Sequence, residues 1–153
     1  MMRQNFILLF FILNCLISQG QTLKTLEKEI SQIAKEYVPY VKSVSINSLG
    51  ELIIYEKIND DDATEIVLNL KDIEIAGIEE SSQDGYGKPI GKYRILLSCN
   101  SGKCVSNKEF TIKNGKKLFK KMWKNDQAWF YIDDYNQAEI LEKKLKKAKD
   151  ITR

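Results

Sequence analysis

Histidine is absent from this chain, and cysteine and proline are scarce, with three and two among 153 residues. Without histidine, the Ser–His and Cys–His nucleophile systems and every histidine metal site are excluded. One cysteine sits in an N-terminal apolar run. The other two, Cys99 and Cys104, leave a Cys-x4-Cys metal site short of two ligands that the rest of the chain does not supply. No glycine motif cradles a phosphate, because Gly85, Gly87 and Gly91 belong to a loop that opens no helix. Proline-rich linkers, internal repeats and low-complexity tracts are also missing, so the length suits one domain.

The first stretch present is "MMRQNFILLFFILNCLISQGQ". Arg3 gives a short positive region, Phe6 to Leu13 is wholly apolar, and Ser18-Gln19-Gly20 offers small residues where a signal peptidase reads. The apolar run stops near Ile17, short of the ~20 residues a spanning helix needs, so a removed secretory signal is preferred to a membrane anchor. Cleavage after Gly20 leaves 133 residues. A lipidated Cys15 is the minor alternative, because Asn14 is bulkier than the small residue usual before an acylated cysteine. The expected location is therefore secreted or periplasmic.

Export bears on the stretch "LLSCNSGKCV". Outside the cytoplasm a nearby cysteine pair is more often a disulfide than a reduced pair. Asn-Ser-Gly-Lys suits a tight hairpin loop, with Gly102 free to take positive φ. Tyr93, Ile95, Leu97 and Cys99 alternate, which places Cys99 on the apolar face of its strand. The expectation is a structural Cys99–Cys104 clip across a hairpin.

Net charge is +3 overall but uneven: Gln21 to Ile112 carries 11 basic and 15 acidic residues, Lys113 to Arg153 carries 12 and 6. Leu23, Leu26, Ile30, Ile33 and Tyr37 recur at helical spacing, and Pro39 should end that helix. The period then changes to two. Short strands are expected at Lys42 to Ile46 and Glu51 to Ile58, turning at Asn47 to Gly50. "TEIVLNLKDIEIAGI" is one long strand, or two joined at Lys71-Asp72. Strands follow at Tyr93 to Cys99, Cys104 to Ser106, "EFTIKNG" and Trp129 to Ile132. Asp134 can cap a final helix in which Ala138, Leu141, Leu145 and Ala148 form a narrow stripe. The fold class is α+β: an N-terminal helix (21–41 after a 1–20 signal), an antiparallel curled sheet or a barrel of six to seven strands, and a C-terminal capping helix (together 42–153).

The run from Glu51 to Ile151 resembles a pleckstrin-homology-like domain, above all "WFYIDDYNQAEILEKKLKKAKDI", a last strand passing through an acidic turn into an Ala/Leu-striped helix. "LLSCNSGKCV" is similar to a central hairpin in uncharacterised members of that superfold. The resemblance implies a barrel closed by the helix. The lysines and arginines that surround the first hairpin loop of phosphoinositide binders are not evident at Asn47-Ser48-Leu49-Gly50, so lipid-headgroup binding is not implied.

Three constellations invite chemistry. "NDDDATE" gathers Asp60, Asp61, Asp62 and Glu65, but lacks the alternating calcium-loop pattern and reads as a solvated turn. Asp133 and Asp134 are sequence neighbours and cannot flank a glycosidic bond from two sides. "KNGKKLFKKMWKNDQ" interleaves Lys113, Lys116, Lys117, Lys120, Lys121 and Lys124 with Leu118, Phe119, Met122 and Trp123. On a short helix the four apolar residues form one face, which either grips an anionic membrane or acidic partner or, the preferred reading, plugs a barrel mouth while the lysines stay wet. Tyr86, between two glycines of the 80–91 loop, could stack on a ligand or anchor the loop.

The chain is thus read as an exported, non-catalytic binding module without cofactor or metal. Candidate partner contacts are Lys116, Lys117, Lys120, Lys121, Phe119, Trp123 and Tyr86. The expected partner is a protein or an anionic surface and not nucleic acid, with membrane association through the basic segment or a lipidated Cys15 as a weaker option. An inhibitor of a cell-envelope enzyme and an assembly or stability factor of an envelope complex are the alternatives.

Overall fold

Leu26, Ile30 and Ala34 recur at helical spacing and are buried along one side of the first helix, α1, residues 22–37. The helix stops two residues before Pro39, whose ring disfavours the helical region for the residue ahead of it. The computed structural model describes residues 22–81 and 91–152. The expected signal, Cys15 and Tyr86 lie outside the described residues.

Eight strands follow: β1 Val41–Ile46, β2 Glu51–Lys57, β3 Asp62–Asn69, β4 Ile73–Glu80, β5 Tyr93–Cys99, β6 Val105–Lys113, β7 Lys116–Asn125 and β8 Gln127–Ile132. The last helix, α2, is Tyr135–Thr152. All pairings are antiparallel, in a five-stranded sheet ordered β1-β2-β3-β6-β7 and a three-stranded sheet ordered β4-β5-β8.

The two sheets are halves of one sharply bent meander. β3 passes into β4 through a 3-10 turn at Leu70–Asp72, β5 passes into β6 through residues 100–104, and β7 passes into β8 at Asp126. These crossings meet at one corner: the Asn100 amide donates to Asp72 O at 2.9 Å, and the Cys99 amide donates to Asp126 O at 2.8 Å. The sheet is curled but not closed, so the expected α+β class holds while a sealed barrel does not form. Eight strands replace the six or seven expected, because the bends split long strands and because the lysine-rich 116–125 stretch is itself a strand.

Cys99 and Cys104 are joined by a disulfide, with Cα atoms 5.7 Å apart. Its setting differs from the expected hairpin clip. β5 and β6 do not pair; the cross-strand neighbour of Cys99 is Ile73. The bond therefore staples the passage from one sheet to the other. The period-two pattern still placed Cys99 correctly, packed against the core on the side of Ile95 and Leu97.

α2 packs on β4, β5, β8 and the 3-10 turn with Ala138, Leu141, Leu145 and Ala148, all fully buried. Each buried leucine removes enough apolar surface from water to contribute about 1.5–3 kcal/mol. The Gln137 amide donates to Asp134 Oδ1 at 3.1 Å, the cap expected from sequence. Lys144 pairs with Glu29 of α1 at 2.7 Å, and Lys149 donates to the Ile73 carbonyl, tying α2 to α1 and to β4. At the β1–β2 turn Gly50 has φ +75°, and a Cβ there would lie 2.9 Å from Thr152 Cβ. Glycine thus permits both the turn and the seating of the last helical turn on it.

Candidate functional site

The β6–β7 hairpin turns on Asn114 (φ +53°) and Gly115 (φ +73°). Two successive left-handed residues make the two-residue turn whose twist matches paired strands, and Asn-Gly is its preferred sequence. The turn sets Lys113 opposite Lys116 and Phe110 opposite Phe119; beyond that, Glu109 faces Lys121 and Lys108 faces Met122. Lys120 is skipped, a bulge in β7.

β7 is the edge strand of the five-stranded sheet, and it projects past the core. Residues 116–124 are all exposed, and β7 supplies no residue to the buried core. Among them Leu118 is 49 % exposed, Phe119 64 %, Met122 57 % and Trp123 37 %. The stretch is not the expected helix, and its apolar residues do not plug a mouth, contrary to the preferred reading. The alternation needed for a strand is hidden, because lysines and apolar side chains occur on both faces.

Register assigns those faces, since opposed residues share one. Phe119, Lys117, Met122 and Lys124 lie on the outer face with Phe110, Ile112 and Lys108 of β6. Lys117 Nζ sits 3.6 Å from the ring centroid of Tyr55, three strands further in, and Phe110 and Phe119 meet edge to face at 6.2 Å. On the same face, Ala63 lies opposite Phe110 and diagonal to Tyr55, and its small side chain leaves room for this reach. Lys116, Leu118, Lys121 and Trp123 share the opposite, core-side face with Glu109 and Asn107. Lys121 lies 5.1 Å from the centre of the Trp123 ring.

From Val105 to Asn125 the hairpin carries seven lysines and one acid. Glu109 receives Lys120 at 2.6 Å and Lys121 at 3.0 Å. The hydrogen bond from Lys120, then that from Lys121, hold its carboxyl below the ordinary value, and the bond to Glu109 holds Lys120 above. Lys108 is matched by Glu65 at 3.0 Å. Among the described residues, Lys113, Lys116, Lys117 and Lys124 form no ion pair.

On the core-side face, the row beside this edge changes from apolar to polar. Val44, Ile54, Ile66 and Asn107 form one cross-strand row, and Val41, Glu56, Thr64, Glu109 and Lys121 the next. Burial pushes the Glu56 carboxyl up to about 7. Asn107 is buried with its amide nitrogen unpartnered.

The remaining acidic candidates have local partners. Asp60 pairs with Lys57 at 2.8 Å, Asn59 Oδ1 accepts from the amides of Asp61 and Asp62, and Asp133 Oδ1 accepts from the Lys92 amide. Among the described residues, no three cysteine or acidic side chains gather as metal ligands, and no helix is long and apolar enough to cross a membrane. The candidates Lys116, Lys117, Phe119, Lys120, Lys121 and Trp123 come together on one strand; Cys99 and Cys104 lie apart at the corner. Sequence reasoning missed the aromatic platform of Tyr55 and Phe110 and the perturbed Glu56. The Asn-Gly pair flanked by strand-like residues was the signal that could have found the hairpin.

Comparison with known proteins found no matching family, no matching curated protein and no matching solved structure.

Proposed function

We propose that this chain is an exported, non-catalytic binding module that holds an anionic partner along its basic β6–β7 hairpin. The observation that carries this reading is the combination on one projecting strand of four large exposed apolar side chains and lysines with no carboxylate of their own. Folding does not account for them, since the core draws nothing from β7. Surface apolar groups gathered in this way mark interaction sites, and the surrounding positive charge selects the partner's sign. The bent antiparallel sheet finished by a helix supports retaining a PH-like reading of the fold within this proposal.

The test is retention on an immobilised poly-glutamate surface. Wild-type protein is retained at low salt and released as salt screens the attraction. The variant Lys116→Gln/Lys117→Gln/Lys124→Gln, which leaves the Glu109 pairs intact, loses retention. Equal retention of variant and wild type refutes the proposal.

A further inference from the structure

Resting on that reading, we infer that the partner is an acidic, extended polypeptide segment that adds to β7 as a further strand of the sheet. β7 is ten residues long and is hydrogen-bonded to β6 alone among the described residues. One side of its backbone therefore presents a row of amide and carbonyl groups, the template that strand addition uses.

The distribution of side chains distinguishes this partner from a membrane. A bilayer laid against the hairpin touches one face, yet apolar residues stand on both: Phe119 and Met122 on one, Leu118 and Trp123 on the other. Entry tip-first is opposed by the tip itself, where Lys113 and Lys116 flank the Asn114-Gly115 turn and lead the apolar residues into lipid. A strand added in the plane of the sheet meets both faces at once, because its own side chains alternate. Lysines on both faces then find acids on either side of the added strand.

The same charge excludes a second copy. Two β7 edges brought together oppose the five lysines from Lys116 to Lys124 with five more, with Glu109 already committed to Lys120 and Lys121. The bulge at Lys120 divides the edge into 116–119 and 121–125, which further disfavours self-pairing while leaving two runs long enough to pair. An open edge protected against its own kind and complementary to acid is the arrangement strand capture requires.

The probe is a capped ten-residue peptide alternating glutamate with valine, titrated into full mature protein while amide exchange of β7 is followed by NMR. Expected are saturable binding below about 1 mM, new protection of β7 amides, and weakening by at least about tenfold when the peptide amides along both of its edges are N-methylated. N-methylation removes the peptide's backbone donors and leaves its charge unchanged. Equal binding of the methylated peptide overturns strand addition while leaving the anionic-partner reading standing. Absence of peptide binding together with retention on vesicles containing phosphatidylglycerol assigns the surface to lipid and overturns the inference. Concentration-dependent dimerisation that protects β7 amides without peptide overturns it as well. If the chain ignores the peptide, the vesicles and poly-glutamate alike, both readings fall.

Discussion

Glu56 offers the most quantitative test of the structure. Its side chain follows Leu52 and Ile54 on the core-side face of β2, between Val41 and Thr64, and it is only half-buried there. Loss of hydration raises its carboxyl from 4.5 to about 7 in the folded protein. The neutral form is the one the fold favours. Stability from this group is therefore complete below pH 4.5 and is lost as pH rises through 7, with no further change above about pH 8. A shift of that size corresponds to about 3 kcal/mol, which partial solvent access trims to about 2–3 kcal/mol. Glu56→Gln keeps the shape and removes the ionisation. The variant and wild type should be equally stable at pH 4, and the variant more stable at pH 8, a displacement of the urea midpoint by about 1 M for an m-value near 2 kcal/mol/M. Urea titrations with the disulfide intact measure this, and the difference between the two proteins cancels acids such as Glu109 and Asp60, whose values are lowered and act in the opposite sense. A midpoint difference that does not change between pH 4 and pH 8 would refute the placement of Glu56 in a desolvated position.

Replacing Cys99 and Cys104 together with serine opens a short loop, and chain entropy predicts a loss of about 2 kcal/mol in urea-denaturation stability. Leu145→Ala, which empties a fully buried position of α2, should cost about 2–5 kcal/mol and lower the thermal midpoint by several degrees. Gly50→Ala and Gly115→Ala both meet positive φ and should each cost about 1–2 kcal/mol. Gly50→Ala should cost more, because its new methyl collides with Thr152 whereas Gly115 has open space, and Thr152→Ala should recover part of the difference on calorimetry.

Much of the architecture was legible in sequence because its signals were local. Pro39 marked the end of α1, the Ala138–Leu141–Leu145–Ala148 stripe marked the buried face of α2, and period-two alternation put Cys99 on the core side. What escaped was non-local. Nothing in "LLSCNSGKCV" states that the flanking strands pair with different neighbours, since pairing is decided by the bend that all three long strands share at one corner. The basic stretch was misread for a different reason. An edge strand exposed on both faces has no buried side to impose alternation, so its lysines and apolar residues fitted helical spacing equally well. The Asn114-Gly115 turn outweighed that spacing. The proximity of Lys117 to Tyr55 depends on register and on the small Ala63, neither of which is visible along the chain.

Since β7 lends nothing to the interior, the molecule divides into a scaffold and an appendage that can be rewritten independently. Random substitution from Lys116 to Lys124 should leave the melting curve nearly flat while recognition varies widely. A library confined to those nine positions is thus a route to new specificities on an unaltered frame.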